Sequence, residues 1–203
     1  MLDNRESQMR SPNQANAGFT AIETLVVLLM VGILSAVAVP NWLTFTNQRR
    51  VNAANDAVLG ALQEVQRQAI TKKLDYSVSF KTENAVPKVA IHLAKTNPTN
   101  WKNLGEGLEL KPGQVLLGTN ISGENTADTS LSDDLTTNKT ITFNYTGNIP
   151  FGANLGNKGL IVVVGIPQPN NSTQAIEASR RCVKVTTLLG TIQLGRKNEC
   201  DPE

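Results

Sequence analysis

The sequence predicts an α+β chain, with one long N-terminal helix followed by an antiparallel β head. Three observations predict it. An apolar run at residues 24–39 continues into a stretch whose apolar residues recur at helical spacing. Beyond residue 75 the pattern changes to short runs in which apolar residues alternate with Ser, Thr or Asn, the period of half-buried strands. A helix followed by a run of strands, rather than strands alternating with helices, is the α+β arrangement. A length of 203 residues suits one small domain carried on a stem.

The helix is expected over residues 20–73. Its first half has the length of a membrane span, about 20 residues, and carries a single charge, Glu23, just inside its start. Past Pro40 the helix becomes amphipathic. Val51, Val58, Leu62, Val65 and Ala69 recur on one face, with Gln, Asn, Arg and Glu between them. Ala53, Ala54, Ala57 and Ala61 raise helix propensity and allow close packing. Pro40 has no backbone donor, so it kinks the helix without ending it.

Strands come next. Tyr76, Val78 and Phe80 alternate with Ser77 and Ser79, and Val89, Ile91 and Leu93 follow. Ile141, Phe143 and Tyr145 alternate with Thr142 and Asn144. Residues 115–117 and 160–166 are continuous apolar runs, suited to more buried strands. A last pair is expected at 182–189 and 191–194, turning near Gly190. Residues 119–139, rich in Thr, Ser, Asn and Asp, read as a long exposed loop, and 167–173 as a second one. Glu124, Asp128, Asp133 and Asp134 offer carboxylates for a calcium ion, but with no calcium-loop spacing present they read rather as charges of a solvated loop.

Composition excludes several functions. A net charge of +2 is too mild to imply nucleic acid or an acidic membrane surface by itself. His92 is the sole histidine, and no Ser/His/Asp set, metal spacing or phosphate loop is present, so neither catalysis nor a cofactor or metal is expected. The cysteines, Cys182 and Cys200, lie far from any CxxC spacing. Behind an export signal they predict a disulfide closing a loop of about 20 residues, worth about 3 kcal/mol.

The polar N-terminus, residues 1–18, reads as a targeting leader. Two processing schemes compete. Ala36-Val37-Ala38 has the small residues of a secretory cleavage site, which would release a soluble protein beginning at Val39. Against it, the leader would be long and Glu23 would sit needlessly beside the apolar run. The other scheme cuts between Gly18 and Phe19. The stretch Gly18-Phe19-Thr20-Ala21-Ile22-Glu23-Thr24-Leu25-Val26-Val27 closely resembles the class III signal of type IV pilins and type II secretion pseudopilins. Pro40 matches the usual kink position of that family.

The resemblance covers about residues 18–75. It implies a type IV pilin-like fold, with four parts. These are a leader at 1–18 removed by prepilin peptidase, a membrane-spanning and filament-core half-helix at 19–39, an amphipathic half-helix at 40–74, and a head at 75–203. It further implies N-methylation of Phe19. An ionised side chain inside a span costs about 2.5–3.5 kcal/mol on insertion scales, so Glu23 needs a partner. In the family that partner is thought to be the N-terminal amine of a neighbouring subunit. Charge does not orient the span, because Arg5 and Arg10 before it are balanced by Arg49 and Arg50 after it. Placing the leader inside and the head in the periplasm, anchored to the inner membrane, follows from the resemblance.

Farther on, Ile141-Thr142-Phe143, Gly147, the 160–164 run, Arg181-Cys182-Val183-Lys184-Val185 and Leu189-Gly190-Thr191-Ile192 ending at Gly195-Arg196 resemble the GspH/FimT subgroup of minor pilins and pseudopilins. That resemblance implies a structural role, priming or capping a pilus or secretion pseudopilus in company with other pilins. Some FimT-like members bind DNA through a basic C-terminal segment. Here Arg180, Arg181, Lys184, Arg196 and Lys197 are the corresponding cations. They read either as phosphate contacts or as solvated charge, and no interleaved aromatic points to base stacking.

Overall fold

The computed structural model describes residues 18–105, 107, 110–133 and 135–202. Apart from Gly18, the leader lies outside them, as does Asp134. The chain divides into two compact units between Trp42 and Leu43, and each is described by itself.

Helix α1, Ala21–Lys72, is continuous over 52 residues, within one residue of expectation at each end. It passes through Pro40 without ending. In the first unit the large apolar residues from Ile22 to Leu34 are each 42–70% exposed, so no side of the helix is covered. Among the described residues no helix is long and apolar enough to cross a membrane. The side chains of Val37, Val39, Pro40 and Asn41, where the sequence run ends, lie outside that set.

In the second unit α1 buries the stripe that the spacing predicts: Val51, Val58, Leu62, Val65 and Ala69, with Ala54 among them. Strands then follow in order: β1 Tyr76–Glu83, β2 Val86–Leu93, β3 Lys102–Asn103, β4 Leu116–Gly123, β5 Thr126–Ser132, β6 Lys139–Phe143, β7 Leu160–Gly165, β8 Pro167–Gln168, β9 Asn171–Ala175, β10 Arg181–Val185 and β11 Ile192–Arg196. Among the described residues they form a sheet of order β3-β2-β1-β6, a sheet of order β11-β10-β7-β4-β5, and the small pair β8-β9. All pairings between these strands are antiparallel. The helix stripe shares one core with Val78 and Phe80 of β1, Ile141 and Phe143 of β6, and Leu160, Val162 and Val164 of β7. Such alternate residues lie on one face of a strand. Ser77, Ser79, Thr140 and Thr142 therefore belong to the opposite face of the first sheet.

Two expected loops are wrong. Residues 119–139 are not one loop, because β4 continues to Gly123 and pairs with β5 through a turn at Glu124 and Asn125. Asn125 takes the left-handed conformation that closes the turn (φ 51°), a conformation Asn tolerates well. The polarity that suggested a loop belongs to a sheet edge: Asp128, Thr129 and Ser130 of β5 are exposed, as edge strands commonly are. Likewise 167–173 is largely the hairpin β8-β9. The other strand limits shift less. β6 ends at Phe143, before Tyr145, where the Asn144 side chain accepts from the backbone N–H groups of Thr146 and Asn148. β10 ends at Val185 rather than 189. The turn after it places Gly190 (φ 76°) against Gln66 and the Gly147 carbonyl, where a Cβ has no room. Gln66 Nε2 donates to both Gly147 O at 2.8 Å and Gly190 O at 3.2 Å, joining that turn to α1.

Candidate functional site

Two groups of predicted residues can be placed: the start of α1 and the C-terminal ribbon. At the first, Gly18 and Phe19 precede the helix, and Phe19 is 83% exposed. Thr20 caps it. Its Oγ1 accepts from the Glu23 backbone N–H at 3.3 Å, and its carbonyl accepts from Thr24 N–H at 3.1 Å and from Thr24 Oγ1 at 2.9 Å. Glu23 is thus the third helical residue of a Thr-x-x-Glu start, where a carboxylate also meets the positive end of the helix dipole. Sequence reading missed this second role, although Thr20-Ala21-Ile22-Glu23 is its signature. Among the described residues Glu23 has no cationic partner.

At the other end Cys182 and Cys200 form a disulfide, with Cα atoms 5.6 Å apart. Both are fully buried beside Ile161 and Val163. Gly195, the register partner of Cys182, leaves room for its sulfur. The tail leaves β11 through the 3-10 turn Lys197–Cys200 and is held further by Asp201. That residue's carboxylate pairs with Arg180 at 2.8 Å, and its carbonyl accepts from Lys158 Nζ at 3.1 Å.

The five candidate cations are only partly brought together. Arg180 is engaged by Asp201. Lys184 donates to the Glu199 carbonyl at 3.2 Å. Arg181 and Arg196 face each other as register partners on β10 and β11. With Lys197, Asn198, Gln48 and Glu199 they line an open concavity of about 840 Å³. Gln48 is a member that sequence reading could not assign, since no local signal links α1 to the tail.

The described acidic residues of the expected loop, Glu124, Asp128 and Asp133, have separate partners or surroundings. Glu124 accepts from the Thr142 hydroxyl and Asp128 from the Thr129 N–H. Burial pushes the Asp133 carboxyl above the usual carboxylate range, against the pull of Arg180. Among the described residues no His, Cys, Asp and Glu group is arranged to hold a metal ion.

Over 65 residues, 32% of its length, the chain is 37% identical to the type IV major pilin protein PilA of Myxococcus xanthus (strain DK1622). Over that stretch it is similar to a type IV pilin. The match spans 29% of that protein's own length. No protein-family model matches the chain, and no solved structure matches it. The GspH/FimT assignment thus rests on the residues quoted for it.

Proposed function

We propose that the chain is a structural subunit of a type IV pilus or a type II secretion pseudopilus, a minor member of the GspH/FimT kind that primes or caps assembly. It is made as a precursor. Prepilin peptidase cuts between Gly18 and Phe19, and Phe19 is then N-methylated. Residues 19–39 anchor it in the inner membrane with the head in the periplasm, until other pilins take it into a filament. The observation that carries the reading is Glu23: a carboxylate in the first turn of an apolar helix, four positions after the proposed new N-terminus, without a cation in its own chain among the described residues. In this scheme the cation is the amine that cleavage exposes on a neighbour's Phe19. The exposed apolar surface of α1 and the similarity to a pilin support the same reading.

N-terminal sequencing separates this scheme from secretory cleavage: methylated Phe19 is expected, and Val39 at the N-terminus would overturn it. Glu23→Ala is expected to leave membrane insertion intact and to abolish co-purification with filament components. Unchanged co-purification would remove Glu23 from assembly.

A second reading, a DNA-binding minor pilin acting in natural transformation, is favoured by Arg181 and Arg196. Like charges directly opposite in an antiparallel pair destabilise a sheet, so this placement favours an anionic partner. Arg196→Gln with Lys197→Gln is expected to weaken DNA retention at low salt, and retention by the parent chain should fall steeply as salt rises. An unchanged gel shift excludes it.

A further inference from the structure

On the second sheet, the face turned away from the core carries a gap made by glycine. Leu117, Val162 and Val164 belong to the core, and alternate residues of a strand take opposite faces. Leu116 and Gly118 of β4 therefore share the other face with their register partners on β7, Gly165 and Val163. Two side chains fold over the glycines. A Cβ on Gly118 would collide with the Asp133 carboxyl, and one on Gly165 with Ala175 of β9. Asp133 and β9 are thus brought to the same face as Leu116.

At the start of β4 lies a cavity of about 260 Å³, walled by Ala85, Val115, Leu116, Leu117 and Pro167. It is just below the usual size of small-molecule sites, so it suits a small guest. It adjoins a wider concavity of about 740 Å³, and Asp133 lines both. Among the described lining residues of the two, Asp133 is the sole titratable group. Its side chain is half-buried. Among the described residues its carboxyl has no hydrogen bond and no ion pair. Arg180, the cation that acts on it, is paired with Asp201 at 2.8 Å. Burial accordingly wins over that attraction and raises the carboxyl's pKa. A carboxylate withdrawn from water without a donor is costly. Set at an apolar cavity, it offers a counter-charge to a ligand.

We propose that this cavity takes a small aliphatic ammonium, whose charged end meets the Asp133 carboxylate and whose short alkyl chain lies against Val115, Leu116 and Pro167. A neutral apolar guest would leave the carboxylate unpaired. An inorganic cation would lack the several oxygen ligands it needs and would gain nothing from apolar walls. A free amine and the side chain of a lysine on a neighbouring chain share the required chemistry. The site is separate from the assembly and DNA readings, and neither has to hold for it to be tested.

Leu116 supplies the probe. The full-length chain in detergent micelles at pH 7, labelled at its leucine methyls, gives a Leu116 signal assigned as the one that Leu116→Ala removes. Titration with n-butylammonium should shift that signal saturably. The neutral isostere n-butanol should bind at least about tenfold more weakly, and potassium chloride should give no saturable shift. Asp133→Asn keeps the size of the side chain and removes its charge. It should weaken n-butylammonium about tenfold or more without lowering the unfolding temperature. Nα-acetyl-lysine amide distinguishes the sources. Binding as tight as that of n-butylammonium supports the site as a socket for a neighbour's lysine, and weaker binding supports it as a site for a free amine. The proposal is overturned if n-butylammonium gives no saturable shift, if n-butanol or the potassium salt reproduces that shift at the same concentrations, or if Asp133→Asn binds unchanged. The n-butanol comparison needs no variant, so it decides even if Asp133→Asn fails to fold.

Discussion

The two halves of α1 carry similar apolar residues and put them to opposite uses. From Ile22 to Leu34 every large side chain is exposed and no stripe is favoured. From Val51 to Ala69 one stripe is buried at 0–2% exposure against the sheets. A helix that is apolar all round needs lipid or other helices to cover it, whereas an amphipathic one can be covered by its own chain. The second half is therefore held by intramolecular packing, and the first half is left exposed. That contrast predicts the largest effect. Leu62→Ala should cost about 2–5 kcal/mol of head stability, as for a fully buried leucine. Leu29→Ala should change it by less than about 0.5 kcal/mol. Thermal unfolding of both variants in detergent micelles checks the pair. A comparable loss from Leu29→Ala would mean that the first half also packs within its own chain.

The same contrast explains what could be read from the sequence. The stripe Val51, Val58, Leu62, Val65 and Ala69 was legible because helical periodicity records burial on one side. β1, β2 and β7 were legible because alternation or a continuous apolar run records burial in a strand. β5 was not, because Asp128, Thr129 and Ser130 are exposed on an edge and carry the composition of a loop. The polar face of the first sheet was half legible. Ser77 and Ser79 show their alternation, but sequence does not distinguish a polar face turned to water from one that bonds to itself. The facing of Arg181 and Arg196 depends on strand register, which no single strand encodes, and Gln48 joins their concavity from over a hundred residues away.

A smaller effect asks how far the head's internal packing reaches. Cys182 and Cys200 extend it to the tail, closing a separation of 18 residues, worth about 3 kcal/mol in the loop-entropy account. Replacing both with Ala should lower the head's unfolding transition by roughly that amount and leave the helical signal of the first half unchanged. Mass spectrometry with and without reductant verifies the bond in the parent chain. If the transition does not move, the tail is held by the Arg180–Asp201 pair and by Lys158 instead.

Asp133 marks a place where the head is less well satisfied, and its effect is the smallest. Its carboxyl lies over Gly118, where a Cβ would collide with it. Burial raises its pKa, and the attraction of Arg180 offsets this only in part. A folded-state pKa above the unfolded value of about 3.9 means that folding favours the protonated form. The stabilisation is therefore complete below the unfolded pKa and is lost as pH rises through the folded one. At neutral pH the charged carboxylate is a cost. Asp133→Asn, which mimics the protonated acid, should stabilise the head at pH 7 by less than about 1 kcal/mol. The advantage should vanish as pH falls to about 3.5. Unfolding temperatures of the two proteins at both pH values provide the check. If Asn is the less stable at neutral pH, the attraction of Arg180 outweighs desolvation, and Asp133 belongs with the packed, satisfied part of the head.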